Sequence, residues 1–163
     1  SGIFILSDQT VHVGDVIEIN GKVCKVKNIK LRTTRATTID NKVLIIPNHI
    51  YLTSILYNWT ANGALTRESI VVGVSYDSDP DKVKELLIAV ANDHPKVLKN
   101  PAPIVMLSEF GDSSLEFTLL FSMNSSFESN LSKSDIRFSI VSSFREHNIE
   151  IPFPQRVVHM QNN

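Results

Sequence analysis

The side chains able to carry chemistry are few and scattered. His12, His49, His94, His147 and His159 are the histidines of this 163-residue chain. None lies three or four residues from another and none neighbours Cys24, so the spacing of a metal site is absent. Cys24 is the single cysteine. It has only Lys25 beside it as an activator and reads as a buried strand thiol rather than a nucleophile. Asp77-Ser78-Asp79-Pro80-Asp81 has the D-x-D-x-D spacing of a calcium loop. That loop also needs glycine at its sixth position and a glutamate at its twelfth, where Lys82 and Ile88 stand. A helix start explains the stretch better, with Asp79 as N-cap, Pro80 at the first helical position and Asp81 at the positive helix end. There is no nucleophile elbow and no glycine-rich phosphate loop. The expectation is no catalytic residue, no metal and no cofactor: the chain is not read as an enzyme.

Lys22, Lys25, Lys27, Lys30, Arg32 and Arg35 form a basic run. A small barrel with a basic face can bind single-stranded nucleic acid, which makes a soluble nucleic-acid-binding protein the alternative reading. Base stacking needs aromatic residues among the basic ones, and Lys22–Arg35 contains none. No nucleic acid is therefore expected as partner. Asn58-Trp59-Thr60, Asn124-Ser125-Ser126 and Asn130-Leu131-Ser132 match the glycosylation sequon by chance.

The elements that must position these residues fall into two groups. Residues 1–66 carry 7 Lys+Arg against 4 Asp+Glu, and residues 67–163 carry 9 against 13. That asymmetry, with a change of pattern near Ala61-Asn62-Gly63-Ala64, argues for two units. Hydrophobic residues make up 42% and charged residues 20%, an ordinary folded composition. No apolar run reaches the roughly 18 residues of a membrane span. The chain starts at Ser1 and is read as part of something longer.

In the first unit, Gly14-Asp15 turns into a strand, Val16–Ile19. Asn20-Gly21 signals a type I′ hairpin. Val23–Leu31 changes face at Lys27-Asn28, which predicts a bulge. Leu31–Asn48 then contains two strands joined at Asp40-Asn41, read as a two-residue hairpin, with Val43–Ile46 expected to be covered on both faces. Pro47 ends the pairing, a brief turn follows, and Ile55–Trp59 is a last short strand. The expectation is a closed, strongly curved, five-stranded barrel. The second unit reads β-α-β-β-α-β, a ferredoxin-like arrangement. Its elements are Leu65–Tyr76, a helix from Pro80 with Val83, Leu86, Leu87, Val90 and Ala91 as its apolar stripe, Ile104–Phe110, Ser114–Met123, Leu131–Glu146 and a short strand Ile149–Ile151. Asn148 suits a left-handed helix end.

The motifs taken together resemble one family. Gly2-Ile3-Phe4-Ile5, V-G-D-V-I-E-I at Val13–Ile19, L-R-T-T-R at Leu31–Arg35 and I-I-P-N at Ile45–Asn48 are similar to the small-conductance mechanosensitive channel family. So are G-V-S-Y-D-S-D at Gly73–Asp79, G-D-S-S-L at Gly111–Leu115 and I-P-F-P-Q at Ile151–Gln155. They run in one collinear order over nearly the whole chain.

The resemblance implies an Sm-like small β-barrel, then a ferredoxin-like α/β domain, then a C-terminal β-strand. The boundaries are 1–6 for the end of a pore-lining helix, 7–64 for the barrel, 65–152 for the α/β domain and 153–163 for the tail. It implies a homo-oligomer of seven subunits forming a hollow vestibule for ions and small solutes. The vestibule would face the cytoplasm below the cell (inner) membrane, which is reached through helices outside this chain. Ile3 and Phe4 would end the pore helix, and Pro47 and Asn48 would couple the vestibule to gating. Gln155, Val157 and Val158 would belong to the strand of a closing barrel. A bulky apolar residue in place of Asn48 is expected on this basis to disturb gating more than folding.

Overall fold

The structure is a computed structural model and describes residues 10–61, 63, 65–124 and 129–161. Contacts divide the chain into two units, residues 1–66 with 124–130, and residues 67–123 with 131–163.

The first unit is an antiparallel sheet of β1 (Val16–Ile19), β2 (Lys22–Ile29), β3 (Thr33–Thr38), β4 (Val43–Pro47) and β5 (Leu56–Asn58), in the order β4-β3-β2-β1-β5. Asn20 and Gly21 take φ of 50° and 73°, the two left-handed positions of the expected hairpin turn. The β2–β3 register slips between Val26 and Asn28, so the expected bulge is present. Ile17, Ile19, Cys24, Val26, Ala36 and Ile46 form the buried face. Burial pushes the Cys24 thiol pKa up, which keeps it protonated and inert.

Three expectations for this unit need correction. The sheet does not close into a barrel: β4 and β5 are its two edges, and no pairing joins them among the described residues. With only three residues, β5 pairs β1 and offers little further edge. The β3–β4 connection is not a two-residue turn. Thr38 N–H reaches the Lys42 carbonyl at 2.8 Å, so Ile39, Asp40 and Asn41 all lie in the loop, and Asn41 alone has positive φ, at 63°. This is a type I turn ended by one left-handed residue. Nor is β4 covered on both faces. Val43 and Ile45 are exposed while Ile46 is buried, because an edge strand of a single sheet has no second layer over its outer face.

In the second unit β8 (Leu115–Asn124) is the central strand between β6 (Leu65–Val74) and β7 (Ile104–Phe110). Leu115, Phe117, Leu119, Phe121 and Met123 alternate along it and are all buried on one face. Two helices contribute to the same core. Val83, Leu86, Leu87, Val90 and Ala91 come from α2 (Pro80–Asp93), and Ile136, Ile140 and Phe144 from α3 (Ser129–Glu146). Asp79 caps α2 as expected, its side chain accepting from the Asp81 and Lys82 amides. Asn148 is left-handed, with φ 55°. The expected strand at Ile149–Ile151 does not form. The Ser75 N–H, next after β6, donates to the Glu150 carbonyl at 2.9 Å. The brief turn expected after Pro47 contains α1 (Ile50–Thr53), a single helical turn.

The start of β1 is fastened to β5 through one carboxylate. Asp15 accepts from the His12 amide at 2.9 Å, Asn58 Nδ2 at 2.8 Å and the Thr60 hydroxyl at 2.9 Å. Asn58 and Thr60 are the outer residues of a chance sequon; their work is internal. Partial burial pushes the Asp15 carboxyl up, but these hydrogen bonds outweigh it and hold the group below its ordinary value. A depressed folded-state pKa stabilises the protein above the unfolded value of about 3.9 and loses that stabilisation as pH falls through the folded value. Urea midpoints of the wild type should therefore fall steeply below about pH 4. Asp15→Asn should be less stable at neutral pH and show a flatter acid limb; parallel acid limbs would refute the assignment.

Candidate functional site

Pro47 and Asn48 sit where β4 turns into α1, and the two residues face different ways. Pro47 is exposed and is the last residue of β4, opposite Thr33. Asn48 is 4% exposed. Its side-chain oxygen accepts from the Thr34 hydroxyl at 2.9 Å, and its Nδ2 donates to the Lys30 carbonyl at 2.8 Å. Its backbone N–H donates to the Arg32 carbonyl, also at 2.8 Å. One residue therefore satisfies both carbonyls flanking Leu31 and holds the β2–β3 loop against the β4–α1 corner. Thr34, its hydroxyl partner, is completely buried.

Asn48 does not offer its side chain to a partner. The corner presents Leu31, which is 57% exposed, together with Pro47 and Leu52. The Tyr51 hydroxyl is buried, and burial pushes its pKa up against the opposing effect of the Thr34 hydroxyl. A bulky apolar residue at Asn48 is therefore expected to cost folding stability as well. Such a change overpacks a filled site and orphans Lys30 O and the Thr34 hydroxyl.

Lys22, Lys27, Lys30, Arg32 and Arg35 are exposed and Lys25 is half-buried. The register places Lys25 opposite Val16 and Thr37, and Arg35 opposite Asn28 and Ile45. Among the described residues no group of three or more His, Cys, Asp or Glu could hold a metal ion. Ile3 and Phe4 lie outside the described residues.

Gln155, Val157 and Val158 lie in an exposed segment outside the described strands and helices. Phe153 is 82% exposed, Val157 84%, Val158 77% and Met160 90%. In a single chain nothing covers these apolar side chains. Among the described residues no helix is long and apolar enough to cross a membrane.

The Asn48 assignment has a thermodynamic signature. Asn48→Ala removes the bonds to the buried Thr34 hydroxyl and the part-buried Lys30 carbonyl and should cost about 1–3 kcal/mol in urea unfolding. Thr34→Val added to Asn48→Ala should cost less than the sum of the two single changes, because they share one bond. Additive costs would show that the Thr34–Asn48 bond is energetically idle.

Comparisons with known proteins agree with this architecture. The family described as "Mechanosensitive ion channel MscS, C-terminal" matches residues 68–151, and "Mechanosensitive ion channel, beta-domain" matches residues 1–61. Mechanosensitive channel MscK of Escherichia coli is 35% identical over 99% of this chain, which spans 14% of that protein. An uncharacterised MscS family protein of Archaeoglobus fulgidus is also 35% identical over 99% of the chain, which spans 56% of it. The crystal structure of Helicobacter pylori MscS in a closed state superposes with a TM-score of 0.81 at 28% identity. That match covers 97% of this chain and 62% of the other. Arabidopsis thaliana MSL1, at 15% identity and a TM-score of 0.66 over 90% of this chain and 54% of its own, shares the fold. The first-unit sheet and the helix-backed second unit each fall within a matched region, and the chain belongs to the MscS family of mechanosensitive ion channels.

Proposed function

We propose that the chain forms the vestibule of a tension-gated channel, on the cytoplasmic side of the cell (inner) membrane. The observation that carries this reading is the likeness of 97% of the chain to closed-state Helicobacter pylori MscS at a TM-score of 0.81. Membrane tension acts on helices outside this chain. The vestibule scaffolds their assembly, filters ions and small solutes on their way to the pore during osmotic efflux, and catalyses no reaction. Its contacts bias the closed–open equilibrium only to the extent that they differ between the two states.

The finer fold description belongs to the same reading. The bulged, five-stranded sheet is an Sm-like module that is open in the single chain. The β6-β8-β7 order with two helices on one face is a ferredoxin-like core lacking its last edge strand. Seven copies join around an axis, and the segment carrying Gln155, Val157 and Val158 becomes a strand of a small closing barrel. Exposure of Phe153, Val157, Val158 and Met160 in the single chain supports an assembly that covers them. In the first unit the corner at Asn48 carries gating coupling. Asn48 fixes the corner, while the exposed Leu31 and Pro47 make the contact.

Two measurements test this. Patch-clamp of the full-length protein in a bilayer should record current that opens with tension, and its absence sinks the channel reading. Light scattering of the 163-residue chain should give about seven times the monomer mass. Val157→Asp with Val158→Asp should lower that mass while leaving the thermal midpoint of the fold within about a degree, since exposed positions contribute little to it. An undiminished assembly in the double variant would remove these residues from the interface.

A further inference from the structure

The C-terminal segment leaves the second unit at a fixed point. After α3, the Glu150 carbonyl accepts the Ser75 amide at 2.9 Å, immediately past the end of β6. Five residues on, the Gln155 amide donates to the Ser113 hydroxyl at 3.1 Å. Ser113 stands in the two-residue turn between β7 and β8, which closes with the Gly111 amide on the Ser114 carbonyl at 2.8 Å. The Tyr76 hydroxyl donates to the Gly111 carbonyl, so the turn is itself tied to the residue next to Ser75.

Packing between these pieces is close. A Cβ on Gly73 would meet Ser114 Oγ at 2.8 Å, and one on Gly111 would meet the Ser114 carbonyl at 2.9 Å. The end of β6, the β7–β8 turn and the departing tail thus form one closed circuit of contacts. Within it, the stretch between the two tail anchors is Ile151-Pro152-Phe153-Pro154. Two of these four residues are prolines with fixed φ, so little chain entropy is lost in holding Gln155 against the turn. The Gln155 side chain is turned back on its own segment, Nε2 donating to the Phe153 carbonyl at 2.8 Å. The backbone amide is therefore the group by which Gln155 is held to the domain.

We infer that Ser113 is a positioning residue for the C-terminal segment: its hydroxyl fixes the Gln155 amide and so sets where residues 155–161 leave the domain. This rests on the reading of that segment as an assembling strand, and it names the residue that aims it. A hydroxyl is required at position 113, because only an acceptor projecting from the turn reaches the amide. Threonine keeps that acceptor and alanine does not.

Residue-resolved hydrogen exchange on the 163-residue chain, with light scattering in parallel, tests it. Ser113→Ala should speed exchange of the Gln155 amide about fivefold, the effect of losing one ordinary hydrogen bond. Exchange in β8 and the thermal midpoint should stay at wild-type values. Ser113→Thr should restore slow exchange at Gln155. The concentration for half-assembly should rise in Ser113→Ala and recover in Ser113→Thr. Equal Gln155 exchange in wild type and Ser113→Ala overturns the inference, as does a threonine variant that behaves like alanine. A chain that stays monomeric while Gln155 exchange responds as expected overturns the strand reading and leaves Ser113 as the anchor of a free tail.

Discussion

One buried amide governs the geometry of the first unit. A curved sheet of short strands has many chain ends, and each leaves carbonyls that the ladder cannot satisfy. At the corner where β2 turns into β3 and β4 turns into α1, Asn48 answers for the carbonyls of Lys30 and Arg32 and takes the Thr34 hydroxyl as its own donor. Asparagine suits the place because one short side chain carries both a donor and an acceptor. Aspartate would lack the donor for Lys30 and bring a charge into a site that is 4% exposed. The bulge between Val26 and Asn28 lies in β2, the strand that runs into this corner.

The second unit solves a different problem. A ten-residue central strand with every second residue apolar must hide one face, and two helices do so. The α3 helix also carries apolar residues on its outer side, with Phe138 at 74% exposure. Its burial stripe of Ile136, Ile140 and Phe144 is correspondingly narrow. Charge follows the same division: the surplus of acidic residues lies in residues 67–163 and the surplus of basic residues in residues 1–66. The two units present opposite fields to nearby ions over distances of about a Debye length, roughly 8 Å at physiological salt.

What could be read in advance was local. Asn20-Gly21, Asp79-Pro80 and Asn148 each announce a backbone state through their own chemistry, the change of face at Lys27-Asn28 announces the bulge, and all four are present. The helix stripes were legible for the same reason, since spacing alone places Val83 to Ala91 on one face. The β3–β4 loop was miscounted because Asp40 and Asn41 both tolerate positive φ and only Asn41 adopts it. Closure of the sheet was over-read: strand count and bulge give curvature, but whether the edges meet depends on β5, which is three residues long. The side-chain network was invisible. Asn48 meets partners 14 and 18 residues away, and Gln155 meets Ser113 across 42. Family resemblance pointed to Asn48 but not to its burial, and no spacing signal marks such pairs.

The stiff Pro152-Phe153-Pro154 link also has a mechanical side. An extended segment of six residues is about 20 Å long, and neighbouring strands lie about 4.8 Å apart. A swing of about 15° at its root therefore carries the tip across one whole strand position. In the proposed assembly, misaiming of that size is a small angle for a loose hinge and a full pairing error at the far end. On that reading two prolines and a turn hydroxyl act as an angular bearing, and the tolerance it must hold is tighter than any single contact in it suggests.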